Sequence, residues 1–450
     1  MTQLRSMLIC LPIALAMTAC SDEPSSDDAA ADEGTTGNEA RAALYYDDVR
    51  PILAEHCNSC HTEGAVAPFT LEDYDSVREW GPAVLAAVQS RSMPPFGVTN
   101  DGSCNTFEDA RWLSDEEIET IATWVDGGYE EGDASLPPPA RPQTTELSGQ
   151  IQTLSLPQYE PKPVEGYGGF EDYHCFKLEL ELDEPRFITG FDVAPGNAKL
   201  VHHVLGFRVD PSFLGNGEQM DALDELSPDV SGWDCFGAAG EDVIPGGVPV
   251  TWAPGVGATE FPEGVGIRVD PGDVIVVQVH YNLVDGGGSD ATEVELQMTD
   301  GVEREAFQIL WDPFLFSAQF GNPEQLPAGQ EAASFSWDES FSEMMQFDSS
   351  GGFDSDEFEV LALLPHMHER GLTMSVDLQR GDDMMCGARV DRWNFDWQQT
   401  YFLEQPFRAG RDDRFHVTCE WNTMGDDQPT MPGFGTDDEM CLLGVMFTPL

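Results

Sequence analysis

The chain has 450 residues, 41% of them hydrophobic, which is enough for about three domains with real cores. Against 82 acidic side chains stand only 21 basic ones, for a formal net charge of −61 and a pI of about 4.1. That balance excludes nucleic acid and an anionic membrane surface as partners; a surface with Lys162, Lys177 and Lys199 as its only lysines stays soluble at high ionic strength, where its self-repulsion is screened.

In chain order, residues 1–20 come first. Arg5 precedes the short apolar run LICLPIALAM, and Met17-Thr18-Ala19 leads into Cys20. The run is too short to span a bilayer as a helix. It resembles a bacterial lipoprotein signal, with cleavage before Cys20 and lipid on its sulfur; a plain secretory signal is the alternative. Either reading takes the chain out of the cytoplasm, to a compartment where disulfides persist, and the lipoprotein reading anchors it at the cell envelope, on the periplasmic face or outer membrane of a bacterium. Residues 21–44 form an acidic, low-complexity tether without the apolar content for a core.

Residues 45–133 read as a small all-α module. YYDDVRPILAEHC puts Val49, Ile52 and Leu53 on one helical face. Ser114-Asp115-Glu116-Glu117 is a capping box opening a helix through Ile118, Ile121, Ala122 and Val125, which stops at Gly127-Gly128. Between them lies Cys57-Asn58-Ser59-Cys60-His61. Two thiols at this spacing can add to the vinyl groups of a haem, and the adjacent histidine reaches the iron. A redox CxxC or half a zinc site would need a βαβ context or a second cysteine pair. Met93, in RSMPP, is the candidate second axial ligand, with a core methionine as the alternative. The module resembles a c-type cytochrome, and Met/His ligation suits electron transfer.

Residues 134–163, rich in Pro, Thr, Ser and Gln, read as a linker. Beyond it, short alternating runs such as FKLELEL, VHHVLGFRV, DVIVVQVHYN, EVLALLPHMH and FHVTCEW recur between Gly, Pro and Asp turns. Such strands predict antiparallel β-sandwiches, and the length predicts two in tandem. Six cysteines remain for up to three disulfides, and spacing does not fix their pairing.

The chain has nine histidines. His366 and His368 end an apolar strand, at positions whose side chains share a face. His202-His203 and His280 also lie inside strongly β-type runs, where histidine is unusual. His56, His174 and His416 take structural or surface roles, with the edge of a site as the alternative for His174, which stands beside Cys175.

The order of Tyr173-His174-Cys175, His202-His203, Gly264-Val265-Gly266, His280-Tyr281, His366-Met367-His368 and Met440-Cys441 resembles the copper type II, ascorbate-dependent monooxygenases, which include peptidylglycine alpha-hydroxylating and dopamine beta-monooxygenases. The resemblance covers roughly residues 165–450. It implies two tandem jelly-roll-like sandwiches, 164–303 and 304–450, with one copper each. His202, His203 and His280 would hold an electron-transfer copper; His366, His368 and Met440 would hold the copper where O₂ and substrate react. Imidazoles suit copper in both oxidation states, and a thioether favours Cu(I). Met424, Met431 and Met446 are the other methionine candidates. Adjacent strand residues face opposite ways, so His202 and His203 need a bulge to share an ion.

The resemblance also implies the disulfides Cys175–Cys235 and Cys419–Cys441, leaving Cys104 and Cys386 for a bridge between the haem module and the second sandwich. Three positions depart from the peptide-processing members. Leu364 and Pro365 stand where those have a basic residue before HxH, and Gly444 falls near their substrate-pocket tyrosine. The expected protein is therefore a copper monooxygenase that hydroxylates a C–H bond of a small organic molecule with O₂. Its cofactors would be two copper ions and one covalent haem c. Its electron donor would be an ascorbate-like reductant or another redox protein, and its anchor lipid. The alternative is an extracytoplasmic copper-binding electron carrier or copper-handling protein without hydroxylase activity.

Overall fold

Helix signals in residues 45–133 become helices in the computed structural model, which describes residues 41–65, 67–139, 146–163, 170–235, 239–284, 286–319, 323–345, 355–395, 397–433 and 438–450. The signal segment, Cys20 and most of the acidic tether lie outside the described residues. A short π-helical turn, Tyr45–Val49, runs into α1, Arg50–His56. Helix α2, Tyr74–Gln89, is opened by Asp73, which accepts from the Ser76 N–H in a capping box. Helix α3, Asp115–Asp126, has its predicted capping box, Ser114 with Glu117. The apolar faces meet in a core of Tyr45, Val49, Leu53, Val77, Val84, Val88, Ile121 and Trp124.

The rest is mainly β. Its strands are β1 (Gln150–Ser155), β2 (Glu171–Glu179), β3 (Arg186–Ala194), β4 (Val201–Val209), β5 (Trp233–Asp234), β6 (Val250–Trp252), β7 (Thr259–Glu260), β8 (Val265–Val269), β9 (Val274–Asn282), β10 (Glu293–Thr299), β11 (Arg304–Trp311), β12 (Ala333–Ser340), β13 (Glu357–His366), β14 (Gly371–Arg380), β15 (Asp383–Val390), β16 (Tyr401–Gly410), β17 (Arg414–Trp421) and β18 (Leu442–Pro449). They make three open sheets. A five-stranded sheet runs β5-β2-β9-β4-β6, and a four-stranded sheet runs β12-β17-β14-β15. A nine-stranded sheet runs β1-β10-β3-β8-β11-β18-β13-β16, with β7 on β3.

The large sheet serves both halves. Its β3, β8 and β10 share one core with β2, β4 and β9 of the five-stranded sheet. Its β13, β16 and β18 share another with β12, β14 and β17 of the four-stranded sheet. The two halves join where β8 and β11 pair in parallel, Arg304 beside Val265. The expected tandem layout thus has one continuous sheet backing both halves, rather than two closed units. The interval 134–163, read as a linker, is also more than that. Its β1 pairs with β10 along its whole length, because Leu154 and Leu156 are apolar enough to bury at the edge of the first core.

The helical module is tied to the second half covalently and by hydrogen bonds. Cys104 and Cys386 form a disulfide. The Glu108 N–H donates to the Phe402 carbonyl at 2.8 Å, the Thr99 N–H to the Arg389 carbonyl at 2.8 Å, and the Asn105 amide to the carbonyls of Cys386 and Gly387. Phe107 and Val98 are buried in the second core. Disulfides Cys175–Cys235 and Cys419–Cys441 are also present, while Cys57 and Cys60 are free thiols.

Candidate active site

The first histidine cluster sits where β4 and β9 pair. His203 lies opposite His280, and the register shifts between Val201 and His203. That irregularity lets His202 turn to the same side as its neighbour. The Nδ1 atoms of His202 and His280 are 3.1 Å apart, and those of His280 and His203 are 3.2 Å apart. Nitrogens so spaced match ligands about 2.0 Å from one ion at angles near 100°. Strand β9 is buried on both faces, and His280 is fully covered. Burial, then the neighbouring histidines, hold His203 and His280 well below the usual imidazole pKa, so they present lone pairs. Tyr173 stacks on the His280 ring at 3.9 Å, and Glu171 lies 3.6 Å from its Nε2.

The second cluster is built at the end of β13. His366 and His368 have ring centroids 5.2 Å apart. The Nδ1 of His366 meets the Gln398 side-chain oxygen at 2.5 Å, and the Nδ1 of His368 meets the Asp438 carbonyl at 3.1 Å. Both acceptors select the tautomer protonated on Nδ1, leaving each Nε2 lone pair for a metal. Burial lowers the His366 pKa to about 4, against the raising effect of Gln398.

Glu439 organises this corner. Its carboxylate accepts the backbone N–H groups of His368 (2.8 Å) and Arg370 (2.7 Å) and the Trp421 indole N–H (2.8 Å). Glu439 is fully buried, and that burial pushes its pKa up to about 7. Met440, 2% exposed, follows directly and precedes the disulfide-bonded Cys441. The N–H of Cys441 is held by the Asp312 carboxylate at 3.1 Å and its carbonyl by the Trp337 indole at 3.1 Å. Of the rival methionines, Met424 is exposed and Met446 packs into the first core. Met431 is half-buried and its carbonyl accepts the Glu439 N–H at 2.9 Å, while Met440 directly follows Asp438 and Glu439, which grip His368.

The two clusters flank one side chain. The Phe395 ring lies 6.5 Å from that of His203, 6.3 Å from His280 and 5.9 Å from His368. Phe395, Gln398 and Glu439 were missed in the sequence. A motif reading finds ligands, whereas these residues act through contacts made across the chain.

In the helical module the His61 Nδ1 meets the Phe69 carbonyl at 3.1 Å, which leaves Nε2 free to ligate. Burial pushes the Cys57 thiol up to about 12. Met93, the candidate second axial ligand, is exposed in the segment after α2. Cys60 abuts the loop after β6: a Cβ on Gly255 would stand 2.5 Å from its Sγ. Arg111 spans the same seam, donating to the Pro254 carbonyl at 3.4 Å and to Gln399 at 3.2 Å. Of the histidines read as structural, His56 pairs with Glu117, and His416 with Gln379 and Asp338.

Residues 339–449 match the family model described as copper type II ascorbate-dependent monooxygenase, C-terminal domain. The chain is 24% identical over 292 residues to human DBH-like monooxygenase protein 1, covering 62% of this chain and 42% of that one. It is 23% identical over 285 residues to peptidyl-glycine alpha-amidating monooxygenase A of Xenopus laevis, covering 62% of this chain and 26% of that one. The chain spans from a quarter to about half of the length of the curated relatives it matches. Among solved structures, the infectious bursal disease virus VP2 subviral particle aligns at 7% identity over 67% of this chain and 72% of that one, with a TM-score of 0.17. The sequence matches support the copper type II monooxygenase family, whose model and relatives are copper monooxygenases.

Proposed function

We propose that this protein is a copper-dependent monooxygenase that hydroxylates a C–H bond of a small organic substrate with O₂. The observation that carries the reading is a three-imidazole cluster, His202, His203 and His280, with the HxH pair close by, both in ring contact with Phe395. The donor sets fit copper. His202, His203 and His280 give three neutral imidazole nitrogens, and His366, His368 and Met440 give two imidazoles and a soft thioether. Copper bound there would supply one-electron redox chemistry and O₂ activation.

The chain's own residues set the stage for it. Gln398 and the Asp438 carbonyl fix the tautomers of His366 and His368, and Glu439 holds the backbone turn that presents them. Leu364 and Pro365 place no positive charge before the HxH pair, which fits a neutral or cationic substrate better than a peptide carboxylate.

Electrons would enter through a haem c on Cys57 and Cys60 with His61 as axial ligand and Met93 as the second. Two features support this assignment. These two thiols are free while the other six cysteines among the described residues are paired. Cys60 also abuts Gly255, just past β6, whose Trp252 pairs with Val204 next to His203. The donor would be an ascorbate-like reductant or a redox protein, and Cys20 would carry the lipid that holds the chain at the cell envelope.

The test is copper and haem content together with O₂-dependent product formation, in wild type and His366→Ala. The expected result is two coppers per haem in wild type. The variant should keep one copper and the haem spectrum and lose hydroxylation. Turnover retained by His366→Ala would overturn the assignment of the reacting centre, whereas copper bound with no oxygenated product from any substrate in a broad screen would leave the electron-carrier reading instead.

A further inference from the structure

A second group of donors lies on the other face of β2. Asp172 and His174 are two residues apart on this strand, so they share a face, while Tyr173 between them turns to His280. Strand β5 pairs with β2 so that Asp234 stands directly opposite His174. The disulfide Cys175–Cys235 joins the residue after His174 to the residue just past β5 and clamps this register. One ligand atom from each of Asp172, His174 and Asp234 lies within 4.8 Å of the others.

The hydrogen-bonding pattern leaves two buried atoms of this group without partners. The His174 Nε2 meets the Ser231 carbonyl at 2.8 Å, and a carbonyl accepts, so Nε2 carries the ring proton. The Nδ1 lone pair then points toward the Asp234 carboxylate, 3.4 Å away, with no hydrogen-bond partner. Asp172 is fully buried. Its Oδ2 accepts from the Tyr159 hydroxyl at 2.8 Å and the Lys162 N–H at 2.7 Å, but its Oδ1 has no partner. A ring-nitrogen lone pair and two carboxylates this close repel unless a metal ion or a further proton sits among them. Tyr159 stacks on the His174 ring at 4.0 Å and shields one side, while Asp234 is largely exposed and leaves the other open.

We propose that Asp172, His174 and Asp234 form a divalent-cation site, separate from the copper clusters. One imidazole and two carboxylates suit zinc or manganese rather than Cu(I), which prefers soft ligands. The 3.4 Å between Nδ1 and the Asp234 oxygen is what two ligands about 2.1 Å from one ion subtend. The ion would pin the short β5 to β2, the strand whose Tyr173 backs His280. The inference does not depend on the monooxygenase reading.

The experiment is equilibrium dialysis of the metal-free full chain against Zn²⁺ alone, with zinc counted per chain by mass spectrometry. Wild type is compared with Asp234→Asn and His174→Gln. Asp234 is exposed, so its variant tests the site even if His174→Gln fails to fold. The proposal expects Asp234→Asn to bind one zinc fewer than wild type. It also expects His202→Ala to keep the zinc that Asp234→Asn loses, so that the double variant loses both. Equal zinc counts in wild type and Asp234→Asn would overturn it.

Discussion

Asp312 offers the sharpest test of the packing around Met440. It is 1% exposed and accepts backbone N–H groups from Leu315 (3.0 Å) and Cys441 (3.1 Å). Burial raises its pKa from 3.8 to about 7, against the lowering effect of those hydrogen bonds. Between these values the unfolded chain has released the proton and the folded chain has kept it. The folded state therefore binds more protons, and stability falls as pH rises from about 4 to about 7, then levels off. Over that gap, at about 1.4 kcal/mol per pH unit, the loss is on the order of 4 kcal/mol. Asp312→Asn removes the charge and keeps one acceptor. Urea unfolding of both proteins, metal-free, at several pH values from 4 to 9 isolates the effect, because the other titrating groups cancel in the difference. The stability of wild type relative to the variant should drop by that amount up to pH 7 and stay flat above it. A difference that does not change with pH would refute the reasoning and place Asp312 in a far more polar setting.

Three further outcomes follow from the same contacts. Glu439→Ala leaves the N–H groups of His368, Arg370 and Trp421 without their acceptor, at about 1–3 kcal/mol each; at pH 5, where Glu439 is protonated and no buried charge is relieved, urea unfolding should show a loss of at least about 3 kcal/mol. Gln398→Leu removes the acceptor on the His366 Nδ1 and should weaken copper binding at that centre by about 10- to 100-fold, read by competition with a chelator, without changing the His202 centre. Replacing both Cys104 and Cys386 by serine removes a crosslink between residues 282 apart and should cost up to about 5 kcal/mol, seen as a lower urea midpoint. The Glu108–Phe402 and Thr99–Arg389 hydrogen bonds should still hold the helical module in place, as limited proteolysis would report.

Much of the molecule was legible in the residues themselves. Ser114 to Glu117 announced α3 because a capping box is a local device, complete within one turn. Alternation in FHVTCEW announced β17, whose burial alternates strictly, because strand geometry sends successive side chains to opposite faces. His202-His203, His280 and His366-Met367-His368 stood out because imidazoles in apolar strands are costly without a purpose. The interval 134–163 misled because its composition is that of a linker, yet β1 needs only an exposed sheet edge and two leucines to join β10.

Other features had no local signature. That β8 and β11 fuse the halves into one sheet is a matter of pairing between strands whose sequences are complete without it. Gln398, Glu439 and Phe395 are ordinary residues in sequence; they matter because folding brings them, from 27 to 71 residues away along the chain, against His366 and His368. Asp172 and Asp234 likewise belong to an acidic background of 82 carboxylates until β5 lies down beside β2. Sequence determined which residue types this protein can use, since hydrogen-bonding and ligating capacity belong to the side chain. Only the tertiary structure decided which of them meet, because a distance of a few ångströms between remote residues is a property of packing.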